Sequence, residues 1–188
     1  MSRYPAEAAS VEATETRAPT DWPAGLDGRR RRRGCPCRAR SGRRCRRVLH
    51  AERRAGTLVG LHYHLRQTDY WYVVRGHARA VFHDLRAGSP TEGATTSIDL
   101  GEITGEGHNH LGLLIPPGVA HGIAALTDVS LTYLVDAVYD PADELGLAWD
   151  DPEVGADWGI DRPILSERDQ GNPRRRDLSA DQRPRFGA

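Results

Sequence analysis

The sequence predicts an all-β protein, a sandwich or barrel of seven or so short strands flanked by tails. Three observations predict it. Between residues 56 and 140 the chain alternates short runs rich in Val, Leu, Ile and aromatic residues with turn-forming Gly, Pro, Asp and Ser. The runs recur at regular spacing, as in sandwiches and barrels rather than helical bundles. The 188 residues suffice for one domain that buries its own core, with chain to spare.

Taken in order, the first predicted strands are Thr57–His64 (TLVGLHYH) and Tyr70–Arg75 (YWYVVR), separated by a polar turn. His77–Asp84 (HARAVFHD) follows Gly76. A turn-rich stretch, AGSPTEG at 87–93, leads to Thr96–Leu100. Leu111–Ile115 ends at Pro116-Pro117-Gly118, a strong break, and His121–Leu126 and Val129–Val135 complete the set. After Tyr139 the text is rich in Asp, Pro and Trp, with a short helix expected near 141–146. The domain is placed at 56–173. Residues 1–55 read as a disordered or doubtful N-terminal segment, arginine-rich from 29, and 174–188 as a disordered tail. Text like that at 29–54 is what a frame error over GC-rich DNA would yield.

Charge is distributed unevenly. The net charge is zero, but residues 29–54 hold 13 arginines and one acid, Glu52, for +12. Residues 55–173 set 6 arginines against 18 acids, for −12, and the chain has no lysine. So acidic a domain is not expected to bind nucleic acid, and the basic stretch lacks the aromatic interleaving of a specific module. At most it would hold polyanions weakly, in a salt-sensitive way. Cys35, Cys37 and Cys45 all fall in that stretch. Their odd number argues against a disulfide framework, and their spacing, even with His50 as a fourth ligand, fits no zinc pattern. No run of about 18 apolar residues and no signal peptide are seen, so a cytoplasmic protein without a membrane partner is expected.

Two features of the β region can carry chemistry. In His62-Tyr63-His64 the two imidazoles share a strand face, because side chains alternate; whether that face is inward or solvated is left open. In Pro117-Gly118-x-x-His121-Gly122 a tight turn delivers a histidine to the start of a strand. Each feature alone fits an ordinary structural histidine.

Together the residues resemble a larger pattern. Gly56-x5-His62-x-His64-x4-Asp69-x6-Gly76 is similar to the first cupin motif, with Asp where Glu is usual, and Pro116-x-Gly118-x2-His121 to the core of the second. That resemblance implies a double-stranded β-helix, the jelly-roll barrel of the cupins, with the motif residues lining a pocket at its mouth. More narrowly, VGLHYH (59–64), VRG (74–76), DLRAGSPT (84–91), IPPGVAHG (115–122), Tyr133, Tyr139-Asp140-Pro141, WDDP (149–152), Asp157-Trp158 and PILSERD (163–169) resemble, in order, segments of the dTDP-4-dehydrorhamnose 3,5-epimerases.

The family resemblance implies an isomerase of deoxysugar biosynthesis. It would abstract the protons at C3, C5 or both of a nucleotide-linked 4-keto-6-deoxyhexose, without a cofactor, as a homodimer. His62 would be the base, Tyr133 the acid on the other sugar face, and Asp169 the carboxylate that orients His62. His121, His64 and Tyr139 would contact substrate. Three positions depart from the family pattern: Val59 replaces an arginine, His64 a glutamine and Asp69 a lysine. These departures restore a potential ligand set, His62, His64, Asp69 and His121, suited to one divalent Fe, Mn, Ni or Zn ion. Two alternatives are therefore kept: a metal-dependent cupin isomerase or oxygenase, and a non-catalytic sugar-binding cupin.

Overall fold

A computed structural model describes residues 12–14, 47–103, 105 and 107–187. The strands are β1 (Glu12–Thr14), β2 (Arg47–Arg53), β3 (Leu58–Tyr63), β4 (Asp69–Arg75), β5 (His77–Asp84), β6 (Thr95–Ile103), β7 (Gly107–Asn109), β8 (Gly112–Ile115), β9 (Val119–Ala125), β10 (Val129–Val135) and β11 (Leu145–Gly146). They pair antiparallel in two sheets, ordered β1-β8-β4-β10-β2 and β11-β3-β9-β5-β6-β7. From β3 onward strands alternate between the sheets, except that β6 and β7 follow β5 in the second: β3, β5, β9 and β11 lie in the second, β4, β8 and β10 in the first. That alternation is the double-stranded β-helix expected from the sequence.

Alternation along the strands sends one set of side chains between the sheets. Val73, Phe82, Leu100, Leu113, Ile123 and Leu131 belong to this inner cluster and are nearly or wholly buried. Each such burial contributes about 1.5–3 kcal/mol relative to exposure. The outer face of the second sheet is also covered. Leu58, Leu61, Tyr63 and Val81 pack there under Leu147, Trp158 and Leu178 from the C-terminal chain. This explains why β9 (VAHGIAA) is buried at every position: it is a central strand with an apolar layer on both faces. Gly76 turns the corner from β4 to β5 at φ 82°, where a Cβ would lie 2.0 Å from the Asp128 carbonyl oxygen.

Three expectations are corrected. The assignment of 1–55 to a disordered segment fails over Arg47–Arg53, which pair with all seven residues of β10. Ala51 is buried there and Glu52 accepts from the Ser130 hydroxyl (2.8 Å); the arginines around this strand mask its alternation. Cys35, Cys37 and Cys45 and most of the basic stretch lie outside the described residues. The assignment of 174–188 to a disordered tail also fails. Leu178 is buried, the Tyr63 hydroxyl donates to the Gln182 carbonyl (3.0 Å), and Ala87 bridges to Arg185. Composition hides this, because main-chain pairing needs no apolar text. Finally, the helix expected near 141–146 is a single 3-10 turn, Pro141–Asp143, followed by β11. No helix among the described residues is long and apolar enough to cross a membrane.

Candidate active site

β3 and β9 are neighbours, and His62 lies directly opposite His121. The register between these strands shifts between Val59 and His62. A shift of one residue exchanges the two faces of a strand. Val59 therefore packs on the inner cluster, while Leu58, Leu61 and Tyr63 pack outside. Strict alternation would set Leu58 on the face of His62; the shift sets it on the opposite one. Gly60 (φ 122°) permits the close approach of the strands, since a Cβ there would lie 2.7 Å from Gly122 Cα.

His62 Nε2 lies 2.6 Å from Asp169 Oδ1, across 107 residues of sequence. The His62 side chain keeps 16% exposure and Asp169 only 3%. Asp169 sits on the short helix α1 (Glu167–Gln170), whose N-cap is Ser166. The Ser166 hydroxyl accepts from the Asp169 amide (3.1 Å) and donates to Asp169 Oδ2 (2.9 Å). Burial pushes the Asp169 carboxyl up, but the hydrogen bonds and charge of His62, together with Ser166, outweigh it and hold the group below its ordinary range. The ionised carboxylate fixes the His62 proton on Nε2, leaving Nδ1 as the basic nitrogen.

Beside the dyad lies a second group. His64 Nδ1–H donates to the Asp143 carbonyl (2.8 Å), and His121 Nδ1–H to the Val119 carbonyl (2.9 Å). Both Nε2 atoms approach Asp69, His64 at 3.9 Å and His121 at 3.8 Å. Asp69 is itself held by the Gln67 amide (2.8 Å) and by the Trp71 indole N–H (3.3 Å), and the Trp71 ring meets His121 edge-on at 5.1 Å. Burial is the main cause that pushes the His121 imidazole well below its ordinary pKa, so it stands neutral.

Tyr133 comes from the other sheet. It follows Val129 and Leu131 at period two and packs on the inner cluster, so it faces the interior from β10 while His62 faces it from β3. Tyr139 stands 58% exposed in the loop after β10.

The four-residue ligand set expected from the motif is not assembled. His64, Asp69 and His121 converge, with one ligand atom from each within 4.8 Å of the others. The Nε2 of His62 is committed to Asp169 instead. Sequence reasoning also passed over Ser166, Gln67 and Trp71. The S-x-x-D spacing of a helix cap signals the first, and the period-two relation to Asp69 the others. Two surface clefts lie elsewhere, among the C-terminal loops: one is lined by Asp150, Glu153, Arg174 and Arg176, the other by Trp149, Pro163, Leu165 and Gln170. Neither contains the dyad. The barrel interior is the better candidate, because convergent, partly buried titratable groups are what proton transfer needs.

Comparison with known proteins points the same way. Residues 39–177 match the family described as dTDP-4-dehydrorhamnose 3,5-epimerase. The spore coat polysaccharide biosynthesis protein SpsL of Bacillus subtilis is 39% identical over 110 residues, 56% of this chain and 70% of that protein. A dTDP-4-dehydrorhamnose 3,5-epimerase of Sinorhizobium fredii is 37% identical over 123 residues, and the match spans 63% of this chain but only 60% of that relative's length. Among solved structures, a dTDP-6-deoxy-D-glucose-3,5-epimerase from Legionella pneumophila in complex with dTDP-4-keto-L-rhamnose superposes with a TM-score of 0.69 at 29% identity, covering 78% of this chain and 77% of that one. The rmlC epimerase of Mycobacterium tuberculosis does so with a TM-score of 0.69 at 32% identity, over 78% and 76%. The chain belongs to the dTDP-4-dehydrorhamnose 3,5-epimerase family.

Proposed function

We propose that the protein epimerises a dTDP-linked 4-keto-6-deoxyhexose at C3, C5 or both, in deoxysugar biosynthesis. The observation that carries this reading is the 2.6 Å His62–Asp169 bond at the inner face of the barrel. A proton beside a ketone becomes labile when a base is held against it and the enolate is stabilised. His62 Nδ1 takes that proton. Asp169 fixes the tautomer and stabilises the imidazolium that forms. Packed sheets lie roughly 10 Å apart, so a sugar ring between them presents one face to His62 and the other to Tyr133. Tyr133 returns a proton to the face the base cannot reach, which inverts the carbon. His64 and His121 bound the same space, and Tyr139 lies in the loop beyond β10, where a nucleotide could rest. Proton transfer itself draws only on side chains of the chain.

The substrate class fits a cytoplasmic protein. A homodimer fits β2, the last strand of its sheet among the described residues, where Val48 is 61% exposed; light scattering that returned a monomer would remove this element. The chemistry is tested with dTDP-4-keto-6-deoxyglucose in deuterium oxide. Solvent deuterium should enter at C3, C5 or both, and His62→Ala should slow that entry by about 2–4 orders of magnitude, the usual weight of a general base. Exchange that persists at the wild-type rate in His62→Ala overturns the assignment of the base. No exchange in the wild type overturns the epimerase reading and favours a sugar-binding protein.

A further inference from the structure

Resting on the epimerase reading, we propose that His64, Asp69 and His121 form a binding site for one divalent transition-metal ion, next to the His62–Asp169 dyad and independent of it.

The two imidazoles are prepared in the same way. Each gives its Nδ1 proton to a main-chain carbonyl, Asp143 for His64 and Val119 for His121. That bond fixes the tautomer in which Nε2 carries the lone pair, and it is how metal-binding histidines are oriented. Both Nε2 atoms stand within 4 Å of one buried carboxylate. Ligand atoms each about 2.0–2.2 Å from one ion can be at most about 4.4 Å apart. The separations of His64 Nε2 from Asp69 Oδ1 (3.9 Å) and of His121 Nε2 from Asp69 Oδ2 (3.8 Å) fall inside that limit, and the full set within 4.8 Å needs only small rotamer adjustments. Two neutral imidazoles and one carboxylate leave further coordination positions open and suit Zn, Fe, Mn or Ni.

Gln67 supports the assignment. Its amide nitrogen donates to both Asp69 Oδ1 (2.8 Å) and His64 Nε2 (3.2 Å), so it bridges two of the three ligand atoms. A half-turn of that amide presents its oxygen to the same point and offers an ion a fourth ligand. The Trp71 indole N–H holds Asp69 Oδ2, the carboxylate oxygen on the His121 side.

Charge supplies the functional reason. Abstraction of a proton beside the ketone moves the C–H electron pair into a C=C bond and places a negative charge on the C4 oxygen. The chain has no lysine to meet that charge. The part-buried Arg79 and the buried Arg86 are held by Asp99 and Asp84. A bare Asp69 would repel the enolate, whereas an ion on Asp69 attracts it. No electrons leave the substrate. The proton goes to His62 Nδ1, an ion held by His64, Asp69 and His121 would offset the charge on the C4 oxygen, and the ketone re-forms when carbon is reprotonated.

The test uses the full-length protein and measures metal first. Titration with Co(II) should give one ion per chain, with the visible absorption of a nitrogen- and oxygen-ligated site. Asp69→Asn and His121→Gln, each checked for folding by circular dichroism, should weaken binding by at least about 10–100-fold. His62→Ala should bind as the wild type does, which separates this site from a four-ligand site that includes His62. Chelation should slow deuterium exchange roughly 100-fold, the weight of one well-placed electrophile, and Zn(II) or Co(II) should restore it. Loss of metal in His62→Ala, substoichiometric metal in the wild type, or exchange indifferent to chelation would overturn the proposal. In the last two cases exchange itself still reports on the epimerase reading, so the two failures are distinguishable.

Discussion

Asp84 and Asp169 are both buried aspartates, and the contrast between them separates structure from chemistry in this barrel. Asp84 is closed by its own segment. It accepts from the Arg86 main-chain N–H (2.9 Å), from Arg86 Nε and Nη2 (2.8 Å each), from Ser89 Oγ (2.7 Å) and from Thr91 Oγ1 (2.6 Å). All its donors lie within seven residues, and its charge is spent on holding a turn. Asp169 has two side-chain partners, and one of them, His62, lies 107 residues away. That imidazole keeps a second nitrogen and part of its surface open to the barrel. A saturated carboxylate is a latch; one that orients a half-committed base is a catalytic device. The Asp84 bonds hold its carboxyl far below the ordinary range against the opposing cost of burial.

The sharpest way to break the contrast is Asp84→Ala. It leaves the Arg86 guanidinium buried beside Ser89 and Thr91 without its counter-charge. Removing one partner of a buried ion pair costs about 3–5 kcal/mol. Urea denaturation should show a loss of that size, while the folded fraction, assayed well below the midpoint, exchanges substrate protons at close to the wild-type rate. A rate that collapses with Asp84 would place it in the active site and abolish the distinction.

His83, next in sequence to Asp84, adds a pH-dependent effect. Its Nδ1–H donates to Thr95 Oγ1 (2.8 Å), and its Nε2 is buried without a hydrogen-bond partner among the described residues. Burial first, and Arg175 second, push its pKa down to about 4, against the pull of Asp84 and Asp151. The unfolded chain therefore binds a proton at higher pH than the folded one. Stability from the neutral ring is full above about pH 6.5 and is lost as pH falls toward about 4, at most about 3 kcal/mol. His83→Asn keeps a donor for Thr95 and has nothing to titrate. Its stability should change less between pH 7 and pH 5 than the wild type's; parallel curves would show that His83 is not the group responsible.

A smaller effect is expected at the dyad's own carboxylate. Asp169→Asn keeps the shape but removes the charge that supports the His62 imidazolium. Deuterium exchange should fall by roughly 10–100-fold, as when such an orienting partner is lost, less than in His62→Ala. The Michaelis constant should change little, because Asp169 touches His62 and not the substrate. A reversed order of the two variants would make Asp169 the base.

The same contrast explains what could be read from the sequence. Seven strands were legible because short runs of Val, Leu, Ile and aromatic residues, punctuated by turn formers, stand out in the text of residues 56–135. β2 was not: its alternation rests on Ala51 and is overwritten by arginine. The C-terminal chain was missed because its anchors are one buried leucine, Leu178, and main-chain pairing at Ala87 and Arg185. The Asp84 latch was visible as a segment, since its partners are local. The roles of His62, Tyr133 and Asp169 came only through family resemblance, because no local rule joins residues so distant in the chain. Spacing placed His64, Asp69 and His121 together, but it also included His62. Only the bond to Asp169 separates that residue from the other three.

The smallest test concerns Ser166, which serves both the fold and the dyad. It caps α1 by accepting from the Asp169 amide, and it steadies the carboxylate through Oδ2. Ser166→Ala removes both bonds and should cost about 1 kcal/mol as a lost N-cap. Asp169 keeps its charge and its bond to His62, so exchange should slow only a few-fold, through looser positioning. Ser166→Thr supplies the same hydroxyl and should restore stability and rate together. If Ser166→Ala lowers stability alone, the serine caps the helix and does nothing for the base. If the rate falls as far as in Asp169→Asn, the carboxylate depends on Ser166 for its position, and the working unit is Ser166, Asp169 and His62 together.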